Sequence, residues 1–246
     1  MIENTTLTDS AYDTIDVLNT KYKIGKSTRL HIKMTDACNG KCPFCVARLG
    51  KLRKENIIDH LEQKIKIAIT KLNVKNVVLL GGEPTISKNL FPILHELKKY
   101  KQQLSEITII TNGAKLRDED FVHKLANSCI TAVNISIHHW NKRINSNLMK
   151  IDSLSKKELI KIKNMLHQQG KQLWLSVVLM KNYIDNTEKA LKYIKHYATI
   201  VDQIRFFPIS STKEHETIPD VALFTKSHLM EGSVLQSIIK DVIAEG

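Results

Sequence analysis

The sequence has few aromatic residues, few cysteines and no long apolar run. Phe, Trp and Tyr make up 6% of the 246 residues, and no basic stripe is interleaved with rings that could stack on bases, which disfavours nucleic-acid binding. No apolar stretch approaches the length that spans a bilayer. The first residues contain no basic segment followed by an apolar run, so we expect no secretory signal and a cytoplasmic protein with reduced thiols.

Three of the four cysteines, Cys38, Cys42 and Cys45, follow one another with the spacing CxxxCxxC. Three thiolates at this spacing can bind three irons of a cubane iron–sulfur cluster, whereas an ordinary electron-transfer cluster takes four. The fourth iron then stays open for a small molecule. The pattern therefore favours a cluster that takes part in chemistry.

Other interpretations of these cysteines stay open at this point. A structural zinc site needs a fourth ligand, but the second cysteine pair is missing and neither His31 nor His60 falls at a zinc-finger offset. A disulfide framework is typical of short secreted chains, whereas this chain is neither short nor expected to be secreted. Cysteines can also be buried core residues, although the Asn, Gly, Lys and Pro around them favour an exposed loop.

The net charge of +12 is concentrated just after the cysteines. Residues 41–75 hold nine Lys or Arg and three Asp or Glu, which is half of the surplus, and Arg48, Lys51, Arg53 and Lys54 are the densest part. Such a run can be a solvated helix face. It can also be an electropositive rim that attracts an anionic substrate or an acidic electron donor.

Strands and helices alternate along the chain. Short runs rich in Val, Ile and Leu predict six strands buried on both faces, at residues 30–35, 76–80, 106–111, 132–137, 173–180 and 203–207. Segments of helical period predict helices at residues 57–72, 90–97, 121–126, 159–166, 193–197 and 234–242. A capping box at Ser155 opens the fourth of these helices.

This β–α alternation predicts an α/β fold with parallel strands, a partial (β/α)6 TIM-like barrel. We expect residues 1–27 to form a polar N-terminal extension with one short helix, and residues 28–246 to form a single domain. Residues 208–227 are predicted to be a loop before the last helix. No internal repeat, low-complexity tract or linker is evident.

Polar residues and glycines follow the predicted strands, at the end of the sheet where ligands of such folds bind. The cysteine loop comes after the first strand. Later strands end in, or carry, Gly81, Gly82 and Glu83, then Thr111, Asn112 and Gly113, then Asn134, Ser136, His138 and His139.

This combination, with Phe44 directly before Cys45, resembles the radical S-adenosylmethionine (SAM) superfamily over residues 28–207. The resemblance implies that Cys38, Cys42 and Cys45 bind a [4Fe-4S] cluster whose open iron is chelated by the amino and carboxylate groups of SAM. It implies one-electron cleavage of SAM to a 5′-deoxyadenosyl radical, which abstracts a substrate hydrogen. A flavodoxin- or ferredoxin-type electron donor is the expected partner.

The resemblance also assigns cofactor-binding residues. Gly81, Gly82 and Glu83 match the motif that holds the SAM amino group. Ser136 and Asn134 match the position of the ribose contact. The remaining expected contacts, all with the same cavity, are Phe44, Thr111, Asn112 and Ser176.

The fifth strand and its exit are similar to those of the molybdenum cofactor biosynthesis protein A family. Members of that family carry a C-terminal extension whose cysteines bind a second cluster. Here the only other cysteine is Cys129, which we expect to be a buried structural thiol. We therefore expect neither GTP cyclisation of that type nor peptide maturation that needs auxiliary clusters.

Candidate catalytic residues are His138 and Arg205, with His139 and Arg48 as further candidates near the barrel mouth. An imidazole beside the radical site could act as acid or base, or one ring of the His138–His139 pair could face the helices. Arg205 could bind a substrate carboxylate or phosphate, or pair with a barrel carboxylate. The expected substrate is a small anionic metabolite or nucleotide.

Two alternatives to this function remain from the sequence. The first is a radical SAM enzyme that modifies a peptide. The second, of a different class, is a zinc- or cluster-binding regulatory or nucleic-acid-binding protein without catalysis.

Overall fold

The computed structural model describes residues 12–17, 20–25, 29–45, 60–210 and 218–245, the first two segments by their backbone alone. The chain begins with an antiparallel hairpin of β1 (Tyr12–Val17) and β2 (Thr20–Gly25). The expectation of a short helix in residues 1–27 is wrong for this part of the range. Its β-branched and aromatic residues, among them Thr14, Ile15 and Tyr22, favour strands instead.

Six parallel strands form the main sheet, and each pairs with its neighbour in chain order. They are β3 (Arg29–Lys33), β4 (Asn76–Leu80), β5 (Glu106–Thr111), β6 (Ala132–Ser136), β7 (Gln172–Leu179) and β8 (Gln203–Pro208). The predicted strands are confirmed, with ends that differ by one or two residues. The predicted α/β fold with a partial barrel of parallel strands is also confirmed.

Helices pack on the outer face of the sheet and at the end of the barrel that bears the cysteine loop. They are α1 (Leu61–Thr70), α2 (Leu90–Lys98), α3 (Glu119–Ala126), α4 (Lys142–Met149), α5 (Lys156–His167), α6 (Thr187–Tyr197), α7 (Pro219–His228) and α8 (Gly232–Glu245). The predicted capping box is confirmed, because the Ser155 side chain accepts the Glu158 N–H while the Glu158 carboxylate accepts the Ser155 N–H.

Two of these helices were not predicted. α4 lies in a polar stretch, where the Asn141 side chain caps the first turn by accepting the Ile144 N–H at 3.1 Å. α7 occupies the last part of the loop predicted for residues 208–227, with Pro219 in its first turn and Val221 and Thr225 buried, while residues 211–217 lie outside the described residues. α4 is short and mostly polar, with Leu148 and Met149 as its buried apolar residues, whereas in α7 the apolar period is weak.

The core lies between the sheet and its helices. In β7, Leu173, Leu175 and Val177 pack outward into this core. Because successive strand residues point to opposite faces, Trp174 and Ser176 lie on the inner face of the barrel. The six strands end together at one end of the barrel, and the cysteine loop follows β3 there. Among the described residues, no helix is long and apolar enough to cross a membrane.

Candidate active site

The turn after β4 holds the chain that leads into the cysteine loop. Gly82 N–H donates to the Thr35 carbonyl at 2.6 Å, and Glu83 N–H donates to the Ala37 carbonyl at 2.8 Å. A Cβ atom on Gly82 would lie 2.1 Å from the Ala37 oxygen, so only glycine allows this approach. The backbone next to Cys38 is therefore placed by β4.

The Glu83 carboxylate joins the turns after β4 and β5. Its side chain is 1% exposed. Oε1 accepts the Thr85 N–H at 3.0 Å and the hydroxyls of Thr85 and Thr111 at 2.5 and 2.6 Å. Oε2 accepts the Asn112 N–H at 2.7 Å. Burial raises the pKa of the Glu83 carboxyl, and these four hydrogen bonds oppose the rise.

The end of β5 reaches the cysteine loop through Asn112. Its Nδ2 donates to Asn39 Oδ1 at 2.6 Å and lies 4.0 Å from Cys38 Sγ. The structure thus brings together Cys38, Glu83, Thr111 and Asn112, which the sequence placed in one cavity. Thr85 is a member of this network that sequence reasoning missed, although it follows the Gly-Gly-Glu turn directly.

The cysteine loop is also attached to the end of α4. Lys41 N–H donates to the Met149 carbonyl at 3.0 Å, and Cys42 Sγ lies 3.7 Å from the same oxygen. Cys38 Sγ accepts the Gly40 N–H at 3.3 Å. Burial is the main cause that raises the pKa of the Cys38 thiol, and the nearby Glu83 raises it further.

Phe44 anchors the loop in a small apolar cluster that we call the Phe44 cluster. It consists of Phe44, Leu148, Met180 and Ile209. Phe224 of α7 packs against this cluster, with its ring centroid 6.3 Å from that of Phe44. Phe44 also meets the His138 imidazole edge to face, at 4.8 Å between centroids. Phe44 therefore packs the loop against the barrel end.

His138 is a neutral, fixed group in this structure. Its ring Nδ1 accepts the Val178 N–H at 3.1 Å, and its backbone N–H donates to Asn145 Oδ1 at 2.7 Å. Burial lowers the pKa of His138 to about 3. Because Nδ1 is an acceptor, the ring proton lies on Nε2. His138 therefore suits a hydrogen-bond donor better than the acid or base expected from the sequence.

The remaining polar residues of the fourth and fifth barrel strands meet on the inner face. Ser176 Oγ donates to Asn134 Oδ1 at 2.9 Å, and Ser136 pairs in register with Ser176. His139 instead belongs to the start of α4, since its Nδ1 accepts the Asn141 N–H at 2.9 Å. Asn145 was missed by sequence reasoning because nothing predicted α4.

Arg205 is not brought to the cysteine loop. Its guanidinium carbon lies 3.9 Å from the centroid of the Trp174 ring, and its Nη2 lies 3.8 Å from Glu106 Oε2. Glu106 is the first residue of β5, whereas Thr111 is the last. Arg205 thus reaches along the inner face toward the opposite end of the barrel. Arg48 and the other predicted basic residues up to Lys54 lie outside the described residues.

The residues at the cysteine loop fit an iron–sulfur cluster with SAM. In the described part of the chain, no three His, Cys, Asp or Glu side chains converge closely enough for a single metal ion. The three half-buried thiols lie on one loop instead, where each can ligate a separate iron. Beside them lies a buried carboxylate, Glu83, whose Oε2 accepts one hydrogen bond from the described residues, that of the Asn112 N–H. That oxygen can accept a further hydrogen bond from an ammonium group.

Comparisons with known proteins indicate the family of this chain. A family model described as the radical SAM superfamily matches residues 32–194. The GTP 3′,8-cyclase of Peptoclostridium acidaminophilum is 33% identical over 115 residues, covering 46% of this chain and 34% of that protein. The GTP 3′,8-cyclase of Actinobacillus pleuropneumoniae serotype 3 is 26% identical over 239 residues, covering 95% of this chain and 65% of that protein.

A solved structure extends the comparison to the fold. The crystal structure of Streptococcus suis SuiB bound to S-adenosylmethionine has a TM-score of 0.66 and 21% identity, covering 89% of this chain and 48% of that chain. This chain therefore spans only part of the length of the proteins it resembles. Radical SAM enzymes use a [4Fe-4S] cluster and SAM, and the family model covers more than half of this chain. The chain belongs to the radical SAM superfamily.

Proposed function

We propose that this enzyme abstracts a hydrogen atom from a small anionic metabolite or nucleotide held inside the barrel. When bound, the cluster and SAM supply the one-electron cleavage that generates a 5′-deoxyadenosyl radical. In this proposal Cys38, Cys42 and Cys45 hold the cluster. The cofactor contacts are Gly81, Gly82, Glu83, Thr111, Asn112, Asn134, Ser136 and Ser176. Phe44 and His138 form the wall between the cluster and the barrel.

The cationic inner face of the barrel is the observation that carries the substrate class. In β3, Leu30 and Ile32 pack into the core, so Arg29, His31 and Lys33 lie on the inner face. Lys33 forms an ion pair with Asp36, so Arg29 is the cation of this strand that we assign to the substrate. Positive charge on this face attracts anions and can hold carboxylate or phosphate groups.

The opposite edge strand adds a further cation. The guanidinium of Arg205 in β8 lies over the Trp174 ring and its Nε donates to Gln203 Oε1 at 3.0 Å, so its two Nη groups are the donors available to a ligand. Glu106 lies between Arg29 and Arg205 at 4.0 and 3.8 Å, beyond ordinary hydrogen-bond distance. Both guanidinium groups can therefore turn toward a ligand without breaking a short ion pair.

The similarity to enzymes named GTP 3′,8-cyclase supports nucleotides as the first class to test. GTP is itself a small polyanion. The nucleotide would place its phosphates against Arg205 and Arg29 and its sugar or base toward the cysteine loop. We expect the radical to abstract a hydrogen atom from the part of the substrate that lies farthest from its anionic group.

The test begins with anaerobically reconstituted protein, SAM and dithionite. Release of 5′-deoxyadenosine is expected. Deuterium-labelled GTP, other nucleotides and phosphorylated sugars are then compared for transfer of deuterium into 5′-deoxyadenosine. Protein that held about four irons yet never cleaved SAM would overturn the radical chemistry.

Further outcomes test the proposed substrate class separately from the radical chemistry. Deuterium transfer from a labelled peptide, with none from any anionic small molecule, would overturn the substrate class and favour a peptide-modifying enzyme. The non-catalytic zinc or regulatory alternative from the sequence has no support, because the chain belongs to a family of enzymes.

A further inference from the structure

The short helix α4 is attached to the cysteine loop at two neighbouring residues. Lys41 N–H donates to the carbonyl of Met149, the last residue of α4, at 3.0 Å. Leu148, one residue earlier, is buried in the Phe44 cluster. The position of the cysteine loop therefore depends on the position of the last turn of α4.

The same helix is attached to the end of β6 through Asn145. Asn145 Oδ1 accepts the backbone N–H of His138 at 2.7 Å, and His138 lies two residues after Ser136, the last residue of β6. Asn145 and Met149 are four residues apart, which is about 6 Å along the helix axis. Because one helical turn is a rigid element, α4 fixes the cysteine loop relative to the end of β6.

The other half of the Asn145 amide connects α4 to the turn after β5. Asn145 Nδ2 donates to Ser153 Oγ at 2.7 Å and lies 3.4 Å from Met149 Sδ. The Ser153 carbonyl accepts a hydrogen bond from Arg117 Nη2 at 2.8 Å. Arg117 ends the helical turn Ala114–Arg117, which follows β5. Asn145 thus joins α4, the end of β6 and the segment after β5.

Asn145 is 1% exposed, and both halves of its amide have partners. The net stability from a buried hydrogen bond is small, because folding exchanges it for hydrogen bonds to water. A hydrogen bond nevertheless fixes the distance and the direction between the two groups that it joins. A buried amide at this position therefore suits the placement of neighbouring segments better than the filling of the core.

We propose that Asn145 is a positioning residue that sets the distance between the cysteine loop and β6, so that one SAM molecule can reach both. This inference rests on the proposed function, in which the methionine end of SAM lies at the cysteine loop and Glu83 and its ribose lies at Ser136. A ligand that binds at two places gains affinity only if their separation matches its length. Asn145 acts on this separation through α4 and the backbone of His138.

Two variants of Asn145 and one control test this role. Asn145→Leu has a side chain of similar size and removes the hydrogen bonds to His138 and Ser153. Asn145→Asp keeps an oxygen for the His138 N–H and can accept the Ser153 hydroxyl instead of donating to it. The control, Thr131→Val, removes the two hydrogen bonds of the Thr131 hydroxyl to the Ile107 backbone, at 3.0 and 3.2 Å, near the amino ends of β5 and β6. Iron content and thermal unfolding report cluster loading and stability.

The readout is the binding of SAM, and separately of methionine and 5′-deoxyadenosine, to anaerobically reconstituted protein. In Asn145→Leu the Kd for SAM should rise at least about tenfold, whereas the Kd for each of the two smaller molecules should stay within about twofold of wild type. Asn145→Asp should restore most of the SAM affinity, although a buried carboxylate destabilises the protein. Thr131→Val should lower the Tm by about 2–8 °C, as Asn145→Leu does, and leave all three Kd values unchanged.

The remaining outcomes each contradict a different statement. If methionine or 5′-deoxyadenosine lost as much affinity as SAM in Asn145→Leu, Asn145 would shape one binding site and the proposed control of distance would be overturned. Unchanged SAM affinity in Asn145→Leu, or no recovery in Asn145→Asp, would overturn it as well. Wild-type protein that held its cluster yet bound no SAM would instead overturn the proposed function.

Discussion

The two ends of the barrel each contain a carboxylate, and the two carboxylates differ in burial and in hydrogen bonding. Glu83, at the carboxyl ends of the strands, is buried and accepts four hydrogen bonds of 3.0 Å or less. Glu106, at the other end, accepts one short bond from the Thr108 hydroxyl at 2.8 Å and has guanidinium groups at 3.8 and 4.0 Å. Glu83 is held in one position, where it can orient a cofactor. Glu106 can change its contacts when a ligand binds.

The histidines repeat this contrast. His138 lies buried and neutral near the cysteine loop, with its Nδ1 bonded to Val178 N–H. His167 is more exposed and contacts the Asp202 carboxylate at 2.8 Å, where Asp202 also accepts the Leu173 N–H at the start of β7. Polar groups at the cofactor end are thus held by burial and backbone contacts. Those at the far end depend on side-chain contacts near solvent, which contribute less.

Removal of a cluster ligand should have the largest effect. Replacement of Cys38, Cys42 or Cys45 by Ala should abolish stoichiometric iron binding and lower 5′-deoxyadenosine formation by more than about a thousandfold, because each thiolate holds one iron. Cys129→Ala is the matched control, since its thiol is buried and donates to the Leu94 carbonyl at 3.1 Å. Full activity after loss of any loop cysteine would contradict the cluster assignment.

Glu83→Gln and Glu106→Gln compare the two carboxylates directly. An amide at position 83 must place its NH2 against at least one backbone N–H donor, so we expect a loss of about 2–3 kcal/mol in the free energy of unfolding. The same change at position 106 should cost less than about 1 kcal/mol. Urea unfolding measures both. Equal losses would remove the distinction between the two ends.

His138 should make stability depend on pH. Its pKa is lowered to about 3 in the folded protein, so below pH 6.5 the unfolded chain binds a proton that the folded chain does not. Stability should fall as pH falls, by about 2 kcal/mol between pH 8 and pH 5. This part of the slope should vanish in His138→Gln.

The matched control for loss of an imidazole is His123→Gln, on the exposed side of α3. Urea unfolding of cluster-free protein at several pH values gives the slopes. A wild-type slope in His138→Gln would mean that the buried ring carries a charge in the folded protein.

Arg205→Gln should have the smallest effect on the protein itself. Loss of its stacking on Trp174 should lower the free energy of unfolding by less than about 1 kcal/mol, and SAM cleavage without substrate should be unchanged. Once a substrate is identified, its KM should rise. Arg205→Lys, which keeps the charge without the planar fork, separates charge from geometry. A loss of substrate-free SAM cleavage would place Arg205 in the cofactor site instead.

The strands and the position of the cysteine loop could be predicted from sequence patterns, but the contacts between the loops could not. Each main strand is a short apolar run, and this local signal was sufficient. The four donors to Glu83 come from turns that only the assembled sheet brings together. α4 was missed because it is short and mostly polar, with Asn145 beside Leu148 and Met149 on its buried side.

Arg205 illustrates a different limit. The sequence predicted that it binds a substrate group or pairs with a barrel carboxylate, and in the structure it lies on the inner face near Glu106. The end of the barrel that a long side chain reaches depends on Trp174 and Glu106, which lie in other strands. Local patterns assign a face, whereas the direction along that face is a tertiary property.

The close approach of Gly82 to Ala37 affects how readily the cluster can be assembled again after it is lost. Hydrogen bonds to β4 shape the chain just before Cys38, so the shape of that segment is set when the sheet folds. The segment before Cys38 is therefore already ordered when iron binds. Little conformational entropy of that segment is lost on binding, so the entropic cost of assembling the cluster there is small. We expect an enzyme of this construction to survive oxidative loss of its cluster and to be repaired without unfolding.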